Sequence, residues 1–299
     1  MSTHPLRTVA AAADLRAAIA AARRAGRAIG FVPTMGALHA GHVSLIHAAK
    51  QRNDFVVVSI YVNPTQFGPH EDFNKYPRPI TADTDACQQA GADLLFTPDH
   101  TEMYPPGDQT RVRPGRLADH LCGPFRPGHF EGVCTVVAKL FNLVQPDRAY
   151  FGQKDAQQSV IIRRMVRDLA MPVTIEVCPI VREPDGLAMS SRNAYLSPED
   201  RARSLCLYRA LCTARDRLQS GERALGKIIA AMRTVIAAAG DIRVDYLSLV
   251  DPDTLEPING AFAAPQSASP PASNRRILIA GAIRLGSTRL IDNLIVSIP

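Results

Sequence analysis

Hydrophobic positions in the first half of the chain fall into short continuous runs separated by stretches with helical spacing. The runs are AIGFVPT (Ala28 to Thr34), FVVVSIYV (Phe55 to Val62), DLLFTP (Asp93 to Pro98), RAYFG (Arg148 to Gly152) and VTIEVCPIV (Val173 to Val181). Runs of this kind, rich in β-branched residues and apolar without alternation, mark strands buried on both faces of a parallel sheet. Between them the spacing predicts helices over about His42 to Arg52, Ile80 to Ala90, the apolar GVCTVVAKLFNLVQ, and Asp155 to Leu169. The N-terminal stretch reads as an amphipathic helix leading into the first strand. Strand and helix in alternation, joined by short loops and right-handed crossovers, build a doubly wound α/β sheet. The pattern shifts near Pro179. Two helical stretches follow, about Pro198 to Ser220 and Leu225 to Ala239, and then the hairpin-like runs VDYLSLVDPDTLEPI, RRILIAGAIRL and TRLIDNLIVSI. The expectation is a large domain over residues 1–180 and a smaller α+β domain over 181–299. Within the latter, Ala263 to Asn274 is a proline- and serine-rich connection.

Composition changes this picture little. At 299 residues, with 46% hydrophobic and 21% charged residues, the chain can bury a core without disulfides or a structural metal. No apolar run approaches the roughly 20 residues needed to span a bilayer. Asp14 and Arg16 interrupt any signal-peptide core, so the cytoplasm is the expected location and no membrane partner is expected. The six cysteines form neither a CxxC pair nor a short Cys/His cluster, which argues against zinc and disulfides and for buried thiols. A net charge of +6 invites a nucleic-acid reading. The arginines are spread along the chain, however, with no basic tract and no nucleic-acid-binding signature, and a diffuse positive field suits an anionic small molecule equally well.

The candidate chemistry lies in four segments. In PTMGALHAGH (Pro33 to His42) a buried strand runs into a glycine turn and then a helix starting at or near His42, a geometry that turns backbone N–H groups and a positive helix end toward a phosphate. His39 and His42 are three residues apart, so they share a helix face and can donate to phosphate oxygens as charge builds during displacement. FGQKDAQQ (Phe151 to Gln158) follows a strand and opens a helix. It places Lys154 and Asp155 at the carboxyl edge of the sheet, in a chain whose only lysines are Lys50, Lys75, Lys139, Lys154 and Lys227. Lysine there suits a phosphate as a compact point charge. LAMSSRNAYLS (Leu187 to Ser197) offers adjacent hydroxyls and Arg192 for a pyrophosphate, and YVNPTQFG (Tyr61 to Gly68) presents Gln66 where Pro64 stops the central strand. Each segment also has a bland reading: capping histidines, a solvated first helical turn, a serine-rich turn, an Asn-Pro turn.

Taken in order, these segments carry a resemblance. HAGH resembles the HxGH signature of the nucleotidylyltransferase superfamily, and MSSR resembles a variant of its KMSKS loop. FVPTMGALHAGH, VNPTQFG, RPGHFEGV, YFGQKDAQQ and AMSSRN together resemble the pantoate–β-alanine ligase family of coenzyme A biosynthesis, with VDPDTLEPI and TRLIDN extending the match through the C-terminal part. The resemblance implies a Rossmann-like N-terminal domain, a smaller C-terminal lid and a homodimer. It implies ATP-dependent joining of pantoate to β-alanine through a pantoyl-adenylate, with AMP and pyrophosphate released. Carried over by motif, Met35, Gly36, Ala37, Leu38, His39, Ala40, Gly41 and His42 bind ATP, with His39 and His42 at the phosphates. His42 serves either as proton donor or as stabiliser of the α-phosphate transition state. Gly152, Gln153, Lys154, Asp155, Val181, Met189, Ser190, Ser191 and Arg192 make further ATP contacts, and Lys154 joins the two histidines as a catalytic candidate. Gln66 and Gln158 bind pantoate, Gln66 also being placed to meet β-alanine, with Asn63, Arg126 and His129 near that pocket. Mg²⁺ is expected on the ATP phosphates, with no protein metal site. The loop over residues 263–274 looks longer than the family's usual connection. The nearest alternative is another HxGH nucleotidylyltransferase, which would not call for VNPTQFG and GQKDAQQ together; a non-catalytic RNA-binding protein is the alternative of a different class.

Overall fold

A computed structural model describes residues 5–69, 71–258 and 275–298. The proline- and serine-rich loop over 263–274 lies outside the described residues. The chain divides into two compact units. The first comprises the described residues of Met1–Ala118, Arg126–Gln153 and Ile161–Val181, the second those of Asp119–Phe125, Lys154–Val160 and Arg182–Pro299.

The first unit is built on a six-stranded, all-parallel sheet. Its strands are β1 (Arg7–Val9), β2 (Ile29–Thr34), β3 (Phe55–Ile60), β4 (Leu94–Phe96), β5 (Arg148–Gly152) and β6 (Thr174–Cys178), in spatial order β1-β4-β3-β2-β5-β6. Helices α1 (Ala12–Arg24), α2 (Ala40–Arg52), α3 (Ile80–Gln89), α4 (His100–Met103), α5 (His129–Val144) and α6 (Ala156–Asp168) supply the connections, and α6 is shared between the two units. This is the doubly wound α/β class expected from the run pattern. The core follows from that pattern too: Val32, Val56, Val58 and Leu95 from the strands close on Leu45, Ile46 and Ala49 of α2. Full burial of one such side chain is worth roughly 1.5–3 kcal/mol against leaving it in water. Helix α5 buries Phe130, Val133, Cys134, Val136, Val137, Leu140, Phe141 and Val144 on more than one face, so its apolar run reads as core.

Strand order matters for function. The chain steps outward from β2 through β3 to β4 and then returns on the other side of β2 with β5 and β6. The direction reverses between β2 and β5, and doubly wound sheets open a crevice at the carboxyl ends of the two strands flanking such a point. Those ends are Thr34 and Gly152, where PTMGALHAGH and FGQKDAQQ leave the sheet.

The second unit packs α8 (Leu205–Gln219) and α9 (Leu225–Ala237) on an antiparallel three-stranded sheet of β7 (Arg243–Val250), β8 (Arg275–Leu285) and β9 (Thr288–Ile298). Leu207, Leu211 and Leu218 of α8 and Ile228, Met232 and Ile236 of α9 meet Ile277, Ile279 and Ile283 of β8 in one apolar core. Their spacing of four or seven residues puts them on one helix face each.

The structure departs from expectation at three places. A short strand, β1, precedes the first helix at the sheet edge; three residues are too few to show a period. The stretch over Pro198 to Ser220 is two helices, with α7 (Pro198–Arg203) ending at Ser204, whose hydroxyl turns back to the Arg201 carbonyl at 2.7 Å. The helix after the glycine turn starts at Ala40 rather than His42, because His39 caps it.

Candidate functional site

The turn between β2 and α2 is held from beneath. Gly36 and Ala37 adopt left-handed backbone, φ +83° and +51°, which glycine tolerates and alanine takes only when its surroundings compel it. The restraint is Asp83 of α3, 2% exposed. Its carboxylate accepts the N–H groups of Ala37 at 2.8 Å and Leu38 at 2.7 Å. A side chain on Gly36 would meet that carboxylate at 2.8 Å, so glycine is required for close approach as well as for φ.

The two histidines cap each other's turn. His39 Nδ1 accepts the Gly41 N–H at 3.1 Å, and His42 Nδ1 accepts the His39 N–H at 3.4 Å, with ring centroids 4.1 Å apart. An Nδ1 that accepts carries no proton, so each neutral ring bears its hydrogen on Nε2. This narrows the expectation that the turn offers free backbone amides to a phosphate. Those of Ala37, Leu38, His39 and Gly41 are taken up by Asp83 and the imidazoles, and that of Gly36 bonds the Thr34 hydroxyl at 3.2 Å. The donors placed by the fold are imidazole Nε2–H groups at the positive end of a 13-residue helix.

Asn63 and Gln66 sit where β3 ends, and both are buried. Asn63 Nδ2 donates to Gln66 Oε1 at 3.0 Å and to the Gly132 carbonyl at 3.1 Å, while its oxygen accepts from Thr65 and from the Tyr104 hydroxyl at 3.0 Å. Asn63 thereby fixes which end of the Gln66 amide is which: Oε1 accepts from it, and Nε2 lies 3.1 Å from Met35 Sδ. Gly132, in the first turns of α5, lets that helix press on the same segment; a Cβ there would lie 2.4 Å from the Thr65 oxygen and 2.7 Å from Gln66 Cα.

Arg126 and His129 act on Gln66 from its other side. Arg126 forms a two-pronged ion pair with Glu71, at 2.7 and 2.6 Å, and donates to His129 Nε2 at 2.9 Å. His129 Nδ1–H in turn donates to the Gln66 carbonyl at 2.8 Å. The ring that accepts from a guanidinium at one nitrogen and donates to a carbonyl from the other is neutral. The structure thus uses both residues to hold the Gln66 main chain. Burial pushes the Glu71 carboxyl up, but the Arg126 hydrogen bonds and charge outweigh it and leave it below its ordinary value of 4.5. Because folding lowers this pKa, the stabilisation is complete above the unfolded value and is lost as the pH falls through the folded one. The stability deficit of Glu71→Gln against the parent should therefore be constant from pH 8 to about pH 5 and shrink below about pH 4; urea titrations across that range measure it, and a deficit unchanged at pH 3 would disprove the assignment.

The other sequence-predicted residues divide between the units. Gly152 and Gln153 leave β5 in the first unit, and Val181, half-buried, is its last residue. Lys154, Asp155 and Gln158 belong to the second unit. Lys154 Nζ lies 3.8 Å from its neighbour Asp155, and Gln158 is half-buried at the start of α6. The adjacent Gln157 serves structure: it accepts the Cys122 N–H at 2.8 Å and donates to the His120 carbonyl at 2.7 Å. Met189 to Arg192 leave a small hairpin closed by an Arg182–Ala188 bridge, and Ser190 caps the following 3₁₀ turn by accepting the Arg192 N–H at 3.3 Å.

Sequence reasoning missed Asp83 and Glu71. Each is a single acidic residue in an ordinary polar stretch, and only its distance in space to a turn or an arginine marks it. The thiols of Cys87 and Cys134 are pushed up to about 12 by burial, which suits packing and not nucleophilic chemistry. Among the described residues no group of three or more His, Cys, Asp or Glu could hold a metal ion, and no helix is long and apolar enough to cross a membrane.

Comparison with known proteins gives the family. The family model described as pantoate-beta-alanine ligase matches residues 7–295. A pantothenate synthetase of Moorella thermoacetica is 50% identical over 293 residues, 98% of each chain. Pantothenate synthetase 1 of Bradyrhizobium diazoefficiens is 50% identical over 292 residues, 98% of this chain and 99% of its own. Among solved structures, pantothenate synthetase from Thermus thermophilus superposes with a TM-score of 0.87 at 48% identity, covering 96% of this chain and 98% of that one. Pantoate-beta-alanine ligase from Francisella tularensis, complexed with beta-gamma ATP and beta-alanine, gives 0.76 at 32% identity and 97% coverage of both chains. Matched over nearly its whole length by the family model and by relatives at half identity, the chain belongs to the pantoate–β-alanine ligase family and is an enzyme of that class.

Proposed function

We propose that this enzyme condenses pantoate with β-alanine at the expense of MgATP, through a pantoyl-adenylate. The reading is carried by the His39–His42 pair, whose bonded Nδ1 atoms place both ring protons on Nε2 at the positive end of α2, beside the sheet's switch point. A pantoate carboxylate oxygen attacks the α-phosphorus, the bond to the β-phosphate oxygen breaks, and pyrophosphate leaves. His42 and His39 donate hydrogen bonds to phosphate oxygens as charge shifts onto them. The amine of β-alanine then attacks the acyl carbon, loses a proton, and AMP leaves from the tetrahedral intermediate. Holding the acyl-adenylate and the amine together makes the second step effectively intramolecular.

Within this reading Met35–His42, Gly152–Asp155, Val181 and Met189–Arg192 contact ATP, with Lys154 on its phosphates. Gln66 and Gln158 hold pantoate. Asn63, Arg126 and His129 act by positioning Gln66, since their hydrogen bonds end on its amide and its carbonyl. Mg²⁺ enters on the nucleotide. Residues 1–180 form the ATP- and pantoate-binding domain and 181–299 a lid domain of a cytoplasmic homodimer.

The test is release of pyrophosphate and AMP from MgATP plus pantoate, with and without β-alanine. Multiple-turnover AMP release needing both substrates, matched by pantothenate, is the expected result. ADP as product, or indifference to pantoate, would overturn the reading. A sharper expectation concerns Asp83. An amide has one oxygen for two N–H donors, so Asp83→Asn leaves one part-buried amide unpaired at a cost of about 1–3 kcal/mol. Spent on the turn, that should raise the KM for ATP or lower kcat by about tenfold or more, with the KM for β-alanine little changed. Unaltered kinetics would show that the turn does not depend on this carboxylate.

A further inference from the structure

Residues Lys154 and Ser190 to Arg192 lie on separate segments of the second unit, and one pair of residues on β9 is bonded to the first and to Arg182, which opens the hairpin leading to the second. Asn293, 3% exposed, donates its side-chain Nδ2 to the Lys154 carbonyl at 2.9 Å. Its neighbour Asp292, 5% exposed, takes both prongs of the Arg182 guanidinium, at 2.6 and 2.9 Å. Arg182 also donates to the Asn293 carbonyl at 3.4 Å and to the Gly186 carbonyl at 3.0 Å, and its guanidinium lies 4.1 Å from the Tyr208 ring centroid. Arg182 opens the hairpin whose far end, Ala188, leads into Ser190 to Arg192. The 3₁₀ turn that follows is tied back to the same hairpin by Asn193, which donates to Glu183 and to the Ala188 carbonyl, both at 3.1 Å. The two partners of Asp292 and Asn293 are 110 and 139 residues away in sequence.

Such an arrangement is expensive to build. A buried ion pair gains little net stability over an apolar pair of the same shape, because both charges must be stripped of water. Its value is geometric: a two-pronged guanidinium–carboxylate contact fixes orientation as well as distance. Adjacent residues of a strand send side chains to opposite faces of the sheet, so Asp292 and Asn293 can grip two segments from one short piece of backbone. The Asn293 N–H donates to Asp292 at 2.7 Å, which locks the pair together.

We infer that Asp292 and Asn293 are positioning residues that fasten the Lys154 segment and the Ser190–Arg192 loop to β9, so that the two segments move as one body. The inference rests on the role proposed for Lys154 in adenylate formation. It locates the function of the TRLIDN run, which otherwise reads as an ordinary strand.

The experiment compares Asn293→Ala, Asn293→Leu and Arg182→Lys with the parent in two separate assays. One is pyrophosphate release from MgATP and pantoate; the other is aminolysis of supplied pantoyl-adenylate by β-alanine. Misplacing a catalytic group by an ångström can cost about 10²-fold. Both Asn293 variants should therefore slow pyrophosphate release by about that factor, with aminolysis within roughly threefold of the parent. Leucine keeps the branching and heavy-atom count of asparagine without its donor, so a packing role predicts that Asn293→Leu retains the parent rate; that result would overturn the inference. Equal losses in both assays would also overturn it, by showing general damage. Arg182→Lys keeps the charge and loses the fork, and it should slow pyrophosphate release about tenfold if the second arm acts in the same way; this variant decides the matter if the Asn293 variants do not fold. Lys154→Ala is run beside them. Near-parent pyrophosphate release by Lys154→Ala would overturn the role of Lys154 and the inference with it, whereas loss with Lys154→Ala and none with Asn293→Leu or Arg182→Lys would overturn the inference alone.

Discussion

His42→Ala should slow adenylate formation by roughly 10²–10³-fold, the usual cost of removing one preorganised donor aimed at developing charge. Aminolysis of supplied pantoyl-adenylate should fall far less, because the acyl–phosphate anhydride is already made when that step begins. The fold gives the expectation its sharpness. His42 Nδ1 is occupied by the His39 N–H, so the ring has one donor to lose, and alanine also removes half of the reciprocal cap. His39→Ala strips the first turn of α2 of its acceptor for Gly41, a loss of about 1 kcal/mol of the kind seen at other helix caps. Burst measurements of pyrophosphate separate the two steps. Equal slowing of both would mean that the substitution deforms the whole pocket. Asparagine at 42 offers a further comparison: its carbonyl can still accept from the His39 N–H while its amide keeps a donor, so it should recover part of the rate that alanine loses.

Gly132→Ala is the second large effect. The added methyl would sit 2.4 Å from the Thr65 oxygen and 2.5 Å from its carbon, both main-chain atoms. No rotamer relieves such an overlap, so α5 or the Pro64–Gln66 turn must move. Overpacking of this kind costs typically 1–3 kcal/mol of stability. The functional loss should exceed that, because the turn carries Gln66 and the bond from Asn63 to the Gly132 carbonyl would break with it. We expect a Tm lowered by a few degrees, on the order of 2–4 °C per kcal/mol for a chain of this size. We also expect a rise of more than tenfold in the KM for pantoate, as for a site misplaced by about an ångström. A variant with parent-like KM for pantoate would show that Gln66 does not depend on this contact. Gly186 is a useful contrast: its clash partner is the Tyr208 ring, a side chain, so Gly186→Ala tests the loop region without touching the Gln66 turn.

These two expectations differ in where their information comes from. His39 and His42 stand out in the sequence because three-residue spacing after a strand and glycine turn is a local pattern. Their tautomers do not, since those follow from which backbone amides the rings accept. Gly132 opens an apolar helical run, and its neighbours do not show why glycine is needed there; its requirement comes from a turn 67 residues earlier in the chain. The same division holds across the site. Gln66 was legible because proline stops a β-branched strand just before it. Arg126 and His129 were legible as a motif, but their action on the Gln66 carbonyl needed Glu71 and the packing of α5 to be seen.

The sequence alone determined the alternation of strand and helix, the buried strands β2 and β3 and the apolar α5. All of these depend on periodicity, turn residues and capping, which act over a few neighbouring positions. Tertiary structure decided the order of the strands, and with it the switch point between β2 and β5. It decided that Asp83 takes the Ala37 and Leu38 amides of the turn, and that Asn293 reaches the Lys154 carbonyl. The physical reason is the same in each case. A hydrogen bond between distant residues depends on how whole elements stack, and a lone aspartate or asparagine carries no trace in its own neighbourhood of the partner that stacking will bring.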